Sequence, residues 1–337
     1  MDELEALFED LEDPRTGNAR LHSLHEILVI AVCTVLCGGQ TCADMALFGR
    51  SKRKFLEEFL PLENGIPSHD TFSRVFRLLD AERFHGWFLS FMQRFAEGCE
   101  GVVAIDGKTM RRSFDRASGA SPLHLVSAWA ADQRLVLGQV AVDAKSNEIV
   151  AVPKLLELLS LAGRVVTADA MNCQHKIAQQ VIDQQGDYVL ALKGNQGSLH
   201  DDVRCFLDDR ETPLASASDI DKGHGRIETR TASVSSDIDW LRERHGWPGL
   251  MAIGKVTASR EIGGKTTQET RYYLLSQAFT PERFNEIVRT HWSIENQLHW
   301  VLDVIMDEDQ ARNRKDHGPE NLALLRKLAL NLAKLEP

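Results

Sequence analysis

Two apolar runs that each end in an aspartate constrain this chain more than any other feature. The first is Gly101-Val-Val-Ala-Ile-Asp106-Gly-Lys108, and the second is Arg164-Val-Val-Thr-Ala-Asp169-Ala-Met-Asn172. A short β-branched run closed by a turn signal reads as a buried strand. A carboxylate at its end cannot lie in the core without a partner, so each aspartate is expected at the rim of a sheet. Two such strands place two carboxylates at one sheet edge, which is how a divalent-metal site is built from oxygen ligands.

The chain before Gly101 reads differently. Residues 1–20 form an acidic and then Pro/Gly-broken lead-in. Leu21 to Cys37 carries the pattern of a buried helix stopped by Gly38-Gly39, and further helices are expected over Cys42–Phe48 and Phe55–Leu60. Ser68 is a good N-cap for a helix whose spacing is carried by Thr71, Phe72, Val75, Phe76 and Leu79. Helix, Gly-containing turn and helix, with Arg74 and Arg77 on the second, is compatible with a DNA-reading helix-turn-helix. A plain helical hairpin fits the same pattern. With 337 residues there is room for two domains, here a helical one over 1–97 and a second over 98–337.

From Gly101 onward the expected strands are Val102–Asp106, Leu123–Ala131, Leu135–Val142, Val165–Asp169 and Tyr188–Leu192, with helices at Glu148–Leu161, Gln174–Gln185 and Ser198–Leu207. The order is β-β-β-α-β-α-β-α, an α/β arrangement on a mixed sheet. Right-handed crossovers leave few topologies, and one of them sets strand four parallel to and beside strand one. Asp106 and Asp169 then finish together at the carboxyl edge, where open α/β sheets put their sites. Residues 211–276 interrupt the pattern with a β-rich insertion, its strands expected at Arg226–Val234, Leu250–Ser259 and Thr266–Leu275. Helices return after Thr280-Pro281, and Pro319 opens a last one over Glu320–Leu335.

A third ligand is sought in the helix over 291–305. Ile294, Leu298, Val301, Leu302 and Ile305 form its apolar stripe at 100° per residue, with Glu295 on the stripe's border and His291 and His299 one turn to either side. Glu295 is the acid best placed to reach over the sheet. It reads equally as a boundary glutamate bonded to Asn296 or an arginine. His291, Glu295 and His299 do not form HExxH, and zinc ligation by Cys33 and Cys37 reads less well than free cysteines filling core. His124 and His175 read as structural. No GxGxxG, GxxxxGK[ST] or GxSxG occurs.

Composition bears on partners and location. The formal net charge of −10 counts against a nucleic-acid partner, although an average can hide a basic face. Met1-Asp2-Glu3-Leu4-Glu5 lacks the basic start of a signal peptide, and the longest apolar run, Ile27 to Cys37, is too short to span a bilayer. A cytoplasmic protein with no membrane partner is expected.

Ile105-Asp106-Gly107-Lys108, Thr167-Ala168-Asp169-Ala170-Met171, Leu192-Lys193-Gly194-Asn195-Gln196, Gly223-His-Gly-Arg226-Ile-Glu228 and His291-Trp-Ser-Ile-Glu295-Asn-Gln-Leu-His-Trp resemble the ISAs1 family of transposases, relatives of the IS4 group and of the H-repeat-associated proteins. Gly65-Ile-Pro-Ser-His-Asp-Thr-Phe72-Ser-Arg-Val-Phe is similar to that family's N-terminal associated domain. The resemblance covers nearly the whole chain. It implies an RNase H-like core with a DDE triad of Asp106, Asp169 and Glu295 holding two Mg²⁺ (or Mn²⁺) ions, cleavage of double-stranded DNA at terminal inverted repeats, and transfer of the freed end to target DNA. The wider IS4 group has a Y-x2-R-x3-E-x6-K pattern. Here its arginine place holds His291 and its lysine place Leu302, so those DNA-contact roles do not transfer.

Lys108, Arg111, Arg112 and Lys193 follow the site strands and are candidates for phosphate contacts, or else solvated surface charges. Transposases hold two DNA ends, which is compatible with a homodimer. Two rival functions stay open: a DNA-binding relative that does not cut, and a metal-dependent phosphoesterase or nuclease of the same fold. Roles for Glu228, His291, His299 and Asp303 are left open by the sequence.

Overall fold

Alternation along the two aspartate strands decides how the sheet is covered. In β1 (Gly101–Thr109), Val102 and Ala104 enter one hydrophobic cluster while Val103 and Ile105 enter another; in β4 (Arg164–Ala168), Val165 and Val166 divide in the same way. Strands that are apolar on both sides belong in a sheet covered on both faces. The computed structural model describes residues 8, 11–96, 100–115, 119, 121–143, 146–209, 214–223 and 225–336. The acidic Met1–Glu5, the expected domain boundary at 97/98, Cys99 and the insertion's start at 211 lie outside the described residues.

The sheet has nine strands in the order β3-β2-β1-β4-β5-β9-β8-β7-β6. β2 (His124–Ala130) and β3 (Leu135–Ala141) complete an antiparallel meander with β1. β4 then lies parallel to β1, with Ile105 opposite Ala168, and β5 (Asp187–Leu192) lies parallel to β4. That register sets Asp106 and Asp169 side by side at the carboxyl end of the parallel pair, the arrangement selected above from the right-handed crossover rule.

The β-rich segment is not a separate lobe. β6 (Ser216–Gly223), β7 (Arg226–Ser235), β8 (Ala252–Ile262) and β9 (Lys265–Leu275) continue the same sheet, with β9 antiparallel to β5. β6 was not foreseen. It is a polar, almost wholly exposed edge strand, so it has no apolar alternation to read.

One face of the sheet carries α6 (Glu148–Glu157), α7 (His175–Asp183) and α8 (Ser198–Asp208). The other carries helices from both ends of the chain. α1 (Leu24–Leu36) starts at Ser23, which forms a capping box with Glu26. α2 (Cys42–Ser51), α3 (Arg53–Leu56), α4 (His69–Leu78) and α5 (Ala81–Ala96) follow, and Ser68 caps α4 as its side chain accepts the Thr71 N–H. Phe72, Phe76, Phe84 and Phe88 from this region are fully buried in one cluster with Val102, Ala104 and Trp129 of the sheet and Leu325 of the last helix. The N-terminal helices therefore share their core with the sheet. Among the described residues no helix is long and apolar enough to cross a membrane.

Candidate active site

Asp106 stands two residues beyond Ala104 on β1, so its side chain emerges on the face covered by the N- and C-terminal helices. Asp169 follows β4 directly and caps a 3₁₀ turn over Ala170–Asn172, its Oδ1 accepting from the Asn172 backbone N–H at 3.2 Å and from Asn172 Nδ2 at 3.0 Å. Glu295 comes from the far end of the chain. α9 (Asp239–His245) joins β7 to β8, and Thr280 then caps α10 (Pro281–His291), which has proline in its first turn. The chain then makes a π-helical turn, Ile294–His299, and continues into α11 (Trp300–Val304), with the last helix, α12, following at Gly318–Leu335.

That π turn corrects the uninterrupted helix expected over 291–305. Ile294, Leu298 and Leu302 are buried as expected, but Ile305 is 59% exposed. A π turn adds a residue to one turn and so shifts the 100° pattern; Leu302 still meets the core, whereas Ile305 lies past the last residue of the helix that follows. π turns of this kind gather at functional sites. This one carries Glu295 and His299 together over β1.

Asp106, Asp169 and Glu295 line one cleft of about 250 Å³. Lys193 and Arg271 form part of its wall, and Trp292 stands over the Arg271 guanidinium at 5.2 Å. Burial pushes the Asp106 carboxyl up to about 7; Glu295, Glu148 and Asp169 add repulsion, which a bond to the Gly107 backbone partly offsets. A carboxyl raised by burial and by neighbouring carboxylates is a candidate functional group.

The four roles left open now have partners. His291 Nδ1 lies 2.9 Å from Thr167 Oγ1, and burial lowers its pKa to about 4, so the ring is neutral. His299 Nδ1 faces Asp106 Oδ2 at 3.4 Å and Glu295 Oε2 at 3.8 Å; burial, with Lys327 and Lys108 behind it, lowers its pKa to about 3. Glu228 is buried among Arg226, Arg230 and Arg260, with Arg230 at 2.5 Å. Asp303 Oδ1 lies 2.5 Å from Lys108 Nζ.

Lys108 is thus not a free surface cation. Its amine, 12% exposed, sits between Asp303 and the fully buried Glu308, whose Oε2 is 2.6 Å away. Burial opposes the charge on Glu308, but Lys108, Lys327 and Arg326 outweigh it and hold the carboxyl below its ordinary range. Lys108 is therefore withdrawn from the phosphate-contact set. Arg77 is engaged by Asp316 at 2.7 Å and Arg111 by Asp309 at 3.6 Å, both at the surface. Arg74, Arg112 and Lys193 are exposed and carry no ion pair among the described residues. Cys33, Cys37, Cys42, Cys173 and Cys205 are free.

Glu148 was missed. At the start of α6 and nearly fully buried, it accepts from Asn172 Nδ2 at 3.0 Å and meets His124 Nε2 at 2.8 Å, so it holds the residue that holds Asp169. Gly107 makes room for it: a Cβ there would lie 2.1 Å from Glu148 Oε1. An acid in the first turn of a helix is ordinary, and only the glycine after Asp106 hints at a close neighbour.

A divalent cation fits these donors. Asp106, Glu295 and His299 each offer one ligand atom, and the three atoms lie within 4.8 Å of one another. Asp169 lines the same cleft with Oδ1 taken by Asn172.

Acids from the ends of two parallel strands and from the π turn thus line one cleft, with Lys193 and Arg271 in its wall. Residues 97–332 match the family described as Transposase DDE domain, and residues 6–92 match the one described as DDE_Tnp_1-associated. The chain belongs to the DDE transposase family, and its function is DNA transposition. It is 37% identical over 320 residues to the H repeat-associated putative transposase YhhI of Escherichia coli (strain K12), covering 92% of this chain and 85% of that protein. It is 46% identical over 280 residues to an uncharacterized protein in the dhlA 3′ region of Xanthobacter autotrophicus, covering 81% and 94%. The solved piggyBac transposase synaptic complex with hairpin DNA overlaps 99% of this chain and 71% of that chain at 11% identity, with a TM-score of 0.46.

Proposed function

We propose that Asp106, Asp169 and Glu295 hold two divalent ions, Mg²⁺ or Mn²⁺, and that this site cuts and rejoins double-stranded DNA at the terminal inverted repeats of an insertion sequence of the ISAs1 branch. The observation that carries the proposal is the meeting of these three acids, from β1, the end of β4 and the π turn, in one cleft of a DDE transposase. The sheet is read as RNase H-like on its three-strand meander followed by two parallel strands. When bound, the ions would activate the attacking water or 3′-hydroxyl and neutralise charge on the leaving 3′-oxygen.

The chain's own groups prepare that chemistry. Asn172, itself held by Glu148, fixes the Asp169 carboxylate and orients it for ligation. The raised pKa of Asp106 makes metal capture release a proton and tighten as pH rises toward 8. Lys193 stands where a scissile phosphate would need neutralising, beside Arg271, which is already paired with Glu269, and Arg74 and Arg112 are further candidates for backbone contacts. No protein nucleophile is needed. Two DNA ends call for two protomers, so a homodimer is part of the reading.

The test is cleavage of duplex DNA bearing candidate terminal repeats, with Mg²⁺ or Mn²⁺, by wild type and by Asp106→Ala, Asp169→Ala and Glu295→Ala. Metal-dependent 3′-hydroxyl ends that vanish in all three variants are expected. Tight binding without cleavage by wild type would point instead to a DNA-binding relative that does not cut.

A further inference from the structure

We propose that His299 is a ligand of the metal site, a nitrogen donor that makes the site favour Mn²⁺ over Mg²⁺. The proposal rests on the reading that Asp106 and Glu295 hold a divalent ion, and it adds a fourth residue and an ion preference to that reading.

Three observations carry it. His299 is only 6% exposed. Its Nδ1 faces both carboxylates, 3.4 Å from Asp106 Oδ2 and 3.8 Å from Glu295 Oε2, too far for good hydrogen bonds. A buried imidazole is rarely left so poorly satisfied. Finally, the donor atoms of Asp106, Glu295 and His299, within 4.8 Å of one another, are the one cluster among the described residues that converges in this way, and it includes His299 rather than Asp169.

Local structure explains how the ring comes to be there. Residues 295 and 299 lie four apart within the π turn, which keeps both side chains on the side facing β1. Leu298 and Leu302 anchor the turn in the core, so the ring cannot swing out without unpacking them.

The ion preference follows from donor chemistry. Mg²⁺ demands oxygen ligands and keeps its waters, whereas transition ions accept imidazole readily. Two carboxylates and one imidazole therefore tilt the site toward Mn²⁺.

The test uses the full chain without DNA and each ion alone. Mn²⁺ binding is followed by electron paramagnetic resonance of the free ion, and Mg²⁺ by its competition with Mn²⁺. Wild type is expected to hold Mn²⁺ at least about tenfold more tightly than Mg²⁺. His299→Ala and the bulkier His299→Gln should each lose about tenfold or more in Mn²⁺ affinity while Mg²⁺ affinity stays within about threefold. Electron spin echo modulation of Mn²⁺-loaded wild type, which needs no variant to fold, should show coupling to a ¹⁴N nucleus. Absence of that coupling, or unchanged Mn²⁺ affinity in both variants, overturns the role of His299. Asp106→Ala separates the two readings: if it loses Mn²⁺ while the His299 variants do not, the acid site stands and His299 is not a ligand; if it too keeps Mn²⁺, the acid site itself fails.

Discussion

Asp106 shows how burial and neighbouring carboxylates act together on a single side chain. Its carboxyl titrates near 7 in the fold against an ordinary 3.8, so the native chain keeps a proton that the unfolded chain releases. The stabilising contribution is complete below about pH 4 and is lost as pH rises through 7. In chelator, Asp106→Asn is expected to flatten this part of the pH profile and to raise stability at pH 8 by ~1–2 kcal/mol, read by urea unfolding at several pH values. Lys108 is the opposite case, a charge satisfied on both sides by Asp303 and Glu308. Lys108→Met strands two carboxylates, one of them fully buried, and should cost ~3–5 kcal/mol in the same assay. Its DNA affinity, corrected for folded fraction, should match wild type, whereas a phosphate contact at Lys108 would lower it. Position alone suggested that contact, because a lysine two residues past a site aspartate is close to any bound phosphate. The partner that removes it is 200 residues away along the chain, and no local pattern announces such a pair.

At the scale of elements, the π turn separates what periodicity can and cannot foretell. Leu302→Ala is expected to cost ~2–5 kcal/mol as a core truncation. Ile305→Ser should stay within ~0.5 kcal/mol because the side chain is already in water. An unbroken helix with the expected stripe would make the two losses comparable. The two aspartate strands were legible because burial on both faces leaves a continuous apolar run, and the charge that closes it has to be at the rim. Glu295 was only half legible: spacing made it one of two readings, and its selection came through the family resemblance. Glu148 and β6 were invisible for physical reasons. The first resembles any first-turn acid, and the second lies in water and carries no apolar code.

For the whole molecule, the shared core matters most. Phe72, Phe76, Phe84 and Phe88 pack in one cluster with Trp129 and Leu325, and each such side chain contributes roughly 1.5–3 kcal/mol by burial. Removing residues 1–96 should therefore leave 97–337 without a cooperative unfolding transition, and calorimetry of full chain and truncation checks this. The same packing holds the π turn against β1, so the site depends on both ends of the chain. The central claim is that acids from three separate elements form one metal site. It is tested most directly by replacing the ion with Fe²⁺ and mapping where locally generated hydroxyl radicals cut the polypeptide. The account predicts cuts near 106, near 169 and within 295–299, all suppressed by excess Mn²⁺ and lost in Asp106→Ala. Cuts confined to one of these segments, or elsewhere and indifferent to Asp106, would contradict it.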